Sequence, residues 1–202
     1  MRALDVKTLK RGQTLYVAGE EATALMKVCA GAVILSVILE DGRRQIVDLV
    51  GPGDLVHFEV EGPLDHFAEA LTDTEIAQID GASALQDPDF RAYYLEQARA
   101  RMVMDRRHIT MLGRKSAQER LADFLECLAE CLDCGPSAID LPMTRQQIAD
   151  YLGLTLETVS RIFARWGREG RLRQVSHDRY LLSDPSGGRG EPSVPLSRLL
   201  TA

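Results

Sequence analysis

Hydrophobic positions in residues 9 to 80 fall in short β-rich runs, among them Ala32-Val33-Ile34-Leu35-Ser36-Val37-Ile38-Leu39 and Gln45-Ile46-Val47-Asp48-Leu49-Val50. Glycines at 12, 19, 31, 42, 51 and 53 punctuate them, and Asp41-Gly42 between the two runs is a hairpin signal. Strands and tight turns at this spacing predict a small antiparallel barrel or sandwich. After Pro88 the texture changes to a glycine-free stretch, and one long helix is expected over 89–112, ended by Gly113. Along it Leu95, Ala98, Met102, Asp105, Ile109 and Leu112 alternate at spacings of three and four, the pattern of a two-stranded coiled-coil seam with one charged member. The alternative is that this stripe packs on its own barrel. Ser116 to about Leu132 predicts a further helix with the stripe Leu121, Phe124, Leu125, Leu128 and Leu132, stopped by Gly135-Pro136.

The stretch from Met143 to Trp166 carries the most specific pattern. Thr144 with Gln147 forms a capping box, Ile148, Ala149 and Leu152 give a short helix one apolar face, and Gly153 permits a tight turn. Thr155 then caps a second helix to about Arg168, which makes a helix-turn-helix. Val159, Ile162, Phe163 and Trp166 share one side of that helix, whereas Glu157, Arg161 and Arg168 point the other way with Ser160 on the flank. Arginine can bond guanine O6 and N7, glutamate can accept from cytosine N4, and serine can reach a base or a phosphate. Leu172 to Leu182, turning at Ser176-His177-Asp178, reads as the hairpin of a winged helix-turn-helix, with Arg171, Arg173 and Arg179 near phosphates.

Charge sharpens this picture. The 202 residues carry a net −6, which alone argues against nucleic acid, but residues 143–182 hold 7 Lys+Arg against 4 Asp+Glu while 1–112 hold 12 against 18. A locally basic module on an acidic body can bind DNA, because phosphate attraction depends on the charge presented at the contact. At 45% hydrophobic and 27% charged the composition is that of a globular protein. No run is long enough to span a bilayer and the first residues lack a signal-peptide core, so a cytoplasmic protein without a membrane partner is expected. The tail over 184–202, rich in Pro, Gly and Ser from Pro185, is expected to be flexible, with Leu196 to Leu200 unassigned.

The order of β-roll, long helix and winged helix resembles the CRP/FNR family of transcription regulators over about residues 9 to 183. The matching segments are Leu49-Val50-Gly51-Pro52-Gly53-Asp54-Leu55, Phe67-Ala68-Glu69-Ala70-Leu71, Arg114-Lys115-Ser116-Ala117-Gln118-Glu119-Arg120-Leu121, and Met143-Thr144-Arg145 with Leu154-Thr155-Leu156-Glu157-Thr158-Val159-Ser160-Arg161. The resemblance implies an α+β chain: a jelly-roll-like sensor over 1–88, a dimerisation helix over 89–112, a winged helix-turn-helix over 113–183 and the tail. Glu157, Ser160 and Arg161 are similar to the FNR/FixK branch, which implies base reading by those three at TTGAT-like half-sites of an inverted repeat. Thr144, Arg145, Thr155, Thr158, Arg168, Arg173 and Arg179 are then expected on the DNA backbone. Double-stranded DNA, a second copy of the chain and RNA polymerase are the implied partners, and no catalytic residue is expected.

The sensor departs from the family. The stretch matching its cyclic-nucleotide pocket, Gly53 to Glu59 and Asp65 to Ala68, has no arginine to hold an anionic phosphate, so cyclic AMP is not expected. An FNR-type iron-sulfur cluster is not expected either, with Ala77 where the last cysteine would stand. A response to redox, oxygen or nitrogen-oxide status is the expectation. Cys127, Cys131 and Cys134 share one side of their helix and are the candidate redox or metal group, although Cys-x3-Cys-x2-Cys is not a zinc spacing and nearby carboxylates raise thiol pKa values. His57, His66 and Cys29 are the candidate ligands of a haem- or metal-dependent gas sensor. The rivals outside this class are a cupin-type metalloprotein, which lacks its His-x-His, and a winged helix that binds a protein.

Overall fold

A computed structural model describes residues 5–131, 138–175 and 179–182. The chain divides into two compact units between Asp105 and Arg106. In the first, seven strands form two antiparallel sheets: β1 (Asp5–Leu9), β2 (Thr14–Tyr16), β3 (Leu25–Ala30), β4 (Val33–Ile38), β5 (Arg44–Val50), β6 (Phe67–Ala70) and β7 (Thr74–Ile79). One sheet has the order β1-β7-β3 and the other β2-β6-β4-β5, an antiparallel arrangement as the apolar runs predict and the β-roll that the family resemblance implies. The β4–β5 hairpin pairs Val33 with Val50 and Ile38 with Arg44, and Gly42 takes the positive φ (83°) its turn requires. Between the sheets Leu9, Met26, Val28, Val33, Leu35, Val50, Val56 and Ile76 form an aliphatic core.

The long helix α2 follows the short helix α1 (Gly81–Ala84) and runs Pro88–Arg114, with proline at the first-turn position it favours. Its first half binds the β-roll. Phe90 is buried with Leu25 and Ile79, the Tyr93 hydroxyl donates to Gly53 O (2.6 Å), the Tyr94 hydroxyl to Phe58 O (2.6 Å) and Arg101 Nη2 to Leu55 O (3.2 Å). Arg101 also pairs with Asp48. The expected stop at Gly113 does not occur. The helix continues to Arg114 because an exposed glycine costs only about 1 kcal/mol, while buried Met111 and the Lys115 N–H to Met111 O bond (3.1 Å) hold the last turn.

The second unit holds α3 (Ala117–Cys131), β8 (Ala138–Asp140), α4 (Arg145–Leu152), α5 (Leu156–Arg168), β9 (Leu172–Gln174) and β10 (Arg179–Leu182), with its sheet ordered β8-β10-β9. Leu121, Phe124, Leu125 and Leu128 are buried, as their stripe predicts. Strand β8 was not expected from the sequence; it pairs Ile139 with Tyr180 and makes the wing hairpin a three-stranded sheet. Among the described residues no helix is long and apolar enough to cross a membrane. The side chains of Cys127 and Cys131, all of Cys134, the turn Ser176-His177-Asp178, the Arg179 side chain and the tail lie outside the described residues.

Candidate nucleic-acid interface

The helix-turn-helix is built by its caps. Thr144 adopts extended backbone (φ −70°, ψ 160°), its hydroxyl accepts from Gln147 N (3.1 Å), and its own N–H donates to Gln147 Oε1 (2.8 Å), so both arms of the capping box are made. Gly153 ends α4 in the left-handed region (φ 61°), where a Cβ is disfavoured. Thr155 then caps α5 by accepting from Thr158 N (3.2 Å). Thr144→Ala is expected to remove about 1 kcal/mol from the second unit. Thermal unfolding of both proteins checks this, and an unchanged midpoint would mean the cap contributes nothing.

Helix α5 divides sharply. Val159, Ile162, Phe163 and Trp166 are buried, each worth about 1.5–3 kcal/mol by area as an upper figure. That burial fixes the rotation of the helix, and as a consequence Glu157, Ser160, Arg161 and Arg168 are all exposed on the other side. Arg161 Nε and Arg168 Nε reach only backbone carbonyls of their own helix, Glu157 O and Ala164 O, at a long 3.4 Å. Both side chains are exposed. Thr155 is exposed and its hydroxyl is 2.9 Å from that of half-buried Thr158, which places both hydroxyls at the positive N-terminal end of α5, where an anion is favoured. Exposed Arg165 extends the basic face; sequence reading passed over it, although it lies one turn beyond Arg161.

Arg145 is placed differently from its expected role on the DNA backbone. Its guanidinium is half-buried, lies over the Phe163 ring (3.1 Å to the centroid) and donates to the Tyr180 hydroxyl (2.8 Å). It therefore ties α4 to α5 and the wing, and burial pulls its pKa down, partly offset by Tyr180. Beside it a cleft of about 340 Å³ opens between α5 and the wing, lined by Arg145, Ser160, Phe163, Ala164, Gly167, Leu172, Gln174 and Tyr180. Arg171 is likewise engaged, over Trp166 (4.9 Å) and 3.9 Å from Glu169, whereas Arg173 on β9 is exposed.

The seam positions of α2 are uncovered by their own chain. Leu95 and Met102, in the unit that holds the barrel, are 61% and 55% exposed, which does not fit the alternative that they pack on it, and Ile109 is 69% exposed. Ala98 and Leu112 are partly exposed, and Asp105 is exposed with no ion pair among the described residues. The opposite side carries the contacts, with His108 buried and stacked on Tyr151 (4.4 Å) and His108 Nε2 donating to Tyr151 O (2.9 Å).

His57, His66 and Cys29 do not form one ligand set. Cys29 is exposed with its Sγ near Lys27 O, while His66 is held by the Tyr16 hydroxyl and the Asp65 carboxylate. Among the described residues no group of three or more His, Cys, Asp or Glu side chains is placed to hold a metal ion. The physical reason is geometric: neighbouring tyrosine and aspartate atoms already occupy both nitrogens of His66.

Residues 6–86 match the cyclic nucleotide-binding domain family and residues 119–187 the Crp-like helix-turn-helix domain family. The chain is 41% identical over 157 residues to the nitrogen fixation regulation protein FixK of Rhizobium meliloti, covering 78% of this chain and 72% of that protein. It is 35% identical over 176 residues to the fumarate and nitrate reduction regulatory protein of Shigella dysenteriae, covering 82% and 70%. Among solved structures, FixK2 from Bradyrhizobium japonicum superposes with a TM-score of 0.82 at 30% identity, covering 92% of this chain and 95% of that one.

Proposed function

The chain belongs to the CRP/FNR family of DNA-binding transcription regulators, and from that premise we propose that it binds, as a homodimer, an inverted repeat of TTGAT-like half-sites and responds to redox, oxygen or nitrogen-oxide status. Its named relatives are regulators and not enzymes. The observation that carries the reading is the exposed Glu157, Ser160 and Arg161 on the first turns of α5, held outward by the buried face behind them. Thr144, Thr155, Thr158, Arg168 and Arg173 supply phosphate contacts that position the helix without reading sequence. RNA polymerase is the further partner in this reading. Selection of bound duplexes from a random pool tests the site: enrichment of a two-fold repeat with TTGAT-like halves supports it, and an enriched pool without symmetry contradicts it.

Dimerisation through α2 follows from the exposed seam, since one dimer reads two half-sites about 34 Å apart. Asp105 is the defect in that seam. In a parallel pair the two carboxylates face each other in a poorly solvated site, which weakens association. Asp105→Ala is expected to lower the dimer dissociation constant about tenfold, roughly 1.4 kcal/mol. Sedimentation over a dilution series measures it, and equal constants for the two proteins would remove Asp105 as a brake.

A further inference from the structure

His57 is buried to 1% exposure, and among the described residues neither ring nitrogen meets a partner at full hydrogen-bond geometry, although the backbone of Glu59 and of Ala24 approaches the ring closely enough to favour its charged form. A buried imidazole short of partners forgoes the hydration that it has in water. Tyr16 from β2 meets it edge-on (ring centroids 5.6 Å apart), and Glu59 Oε2 lies 3.5 Å from its Nδ1. The Tyr16 hydroxyl reaches His66 Nε2 at 2.6 Å, and His66 Nδ1 meets Asp65 Oδ1. An ionised carboxylate can only accept, so His66 donates from Nδ1 to Asp65. The titratable and charged groups around the ring are Glu59 on its own loop and Asp65 and His66 before β6, with Arg101 of α2 acting on Tyr16.

The neighbouring residue faces the other way. The carbonyl of Phe58 accepts from the Tyr94 hydroxyl (2.6 Å), and its ring meets that of Tyr94 edge-on (5.5 Å) and lies beneath Arg101 (5.8 Å). Tyr94 and Arg101 each directly precede a seam residue, Leu95 and Met102. The residue next to His57 thus touches the helix turns that carry Leu95 and Met102.

We propose that His57 is a proton-responsive site inside the β-roll, and that its charging loosens the grip of Phe58 on α2 and weakens the dimer. An imidazolium at this position is buried with one carboxylate 3.5 Å away, and an outward movement of the loop from Gly53 to Glu59 relieves it. Burial holds the His57 pKa below its ordinary 6.5, with Glu59 pulling the other way. The clamped form therefore binds the proton less readily than the loosened form. Its advantage is complete above about pH 6.5 and is lost as pH falls through that value.

The dimer half of this proposal rests on the seam reading above, so two readouts are taken on the full chain at pH 7.5 and 5.5. These are the dimer dissociation constant by sedimentation, and amide protection of residues 53–59 by hydrogen exchange corrected for intrinsic rates. In the parent protein the constant should rise severalfold on acidification and loop protection should fall, the direction that the lowered His57 pKa of the clamped form requires. His57→Phe should be flat in both, and His57→Gln, which keeps a polar side chain but takes no proton, should be flat as well. Glu59→Gln, which removes the carboxylate that favours the charged ring in the clamped form, should enlarge the response, while His66→Gln should keep it. An acid response that survives in His57→Phe or His57→Gln, or a parent protein whose loop protection does not change, overturns the proposal. A protein that stays monomeric at both pH values overturns the seam reading, and the exchange readout still decides the proton site.

Discussion

Replacing Arg120 with alanine is expected to cost the second unit about 3 kcal/mol of stability. The Arg120 guanidinium donates from Nη2 to Leu112 O (2.6 Å), from Nη1 to Leu152 O (2.9 Å) and from Nε to Lys115 O (2.9 Å). It thereby satisfies carbonyls at the C-terminal ends of α2 and α4, which have no partner within their own helices, and places positive charge where both helix dipoles favour it. Deletion leaves these half-buried acceptors short of donors. Arg120→Lys should recover little, because one ammonium on a flexible stem cannot serve three carbonyls in fixed directions. Denaturant unfolding of the three proteins measures the effect, and a loss below about 0.5 kcal/mol, the range of an ordinary surface change, would show that water replaces the guanidinium without penalty.

The second large effect concerns specificity. Arg161→Ala is expected to relax preference at one G·C pair of each half-site, a loss of roughly 1 to 3 kcal/mol of discrimination for one bidentate pair. Glu157→Ala should relax a neighbouring position by accepting no longer from cytosine. By contrast, Arg173→Ala should weaken cognate and scrambled DNA alike and reduce the salt slope by about one, since an exposed wing arginine meets phosphate and not base edges. Competition binding with single-position variants of the site separates the two behaviours. If Arg161→Ala lowers affinity equally for cognate and scrambled DNA, its role is electrostatic.

The features legible in the sequence are those written in local spacing. The two β-runs either side of Asp41-Gly42, the stripe from Leu121 to Leu128 and the paired caps Thr144-Gln147 and Thr155-Thr158 each occur within a few residues of one another, and each is found where expected. What was not legible is set by contacts distant in sequence. Arg145 belongs to a motif that suggests a phosphate contact, yet Tyr180 and Phe163 draw its guanidinium inward, and nothing in the stretch from Met143 to Leu152 announces those partners. Likewise β8 is too short to be called from alternation, and pairing with β10 defines it. The meeting of Tyr16, His57 and His66 depends on how β2 and the loop before β6 fold together, so histidines that look isolated along the chain share one neighbourhood in space.

The central claim, that this chain reads DNA sequence through the outer face of α5, is tested most directly by one titration. The full-length protein is bound at physiological salt to an inverted repeat of TTGAT half-sites and to a scrambled duplex of equal composition. Affinity at least about a thousandfold tighter for the repeat is the predicted result, the range of sequence-specific over non-specific binding. Equal affinity for the two duplexes would contradict it.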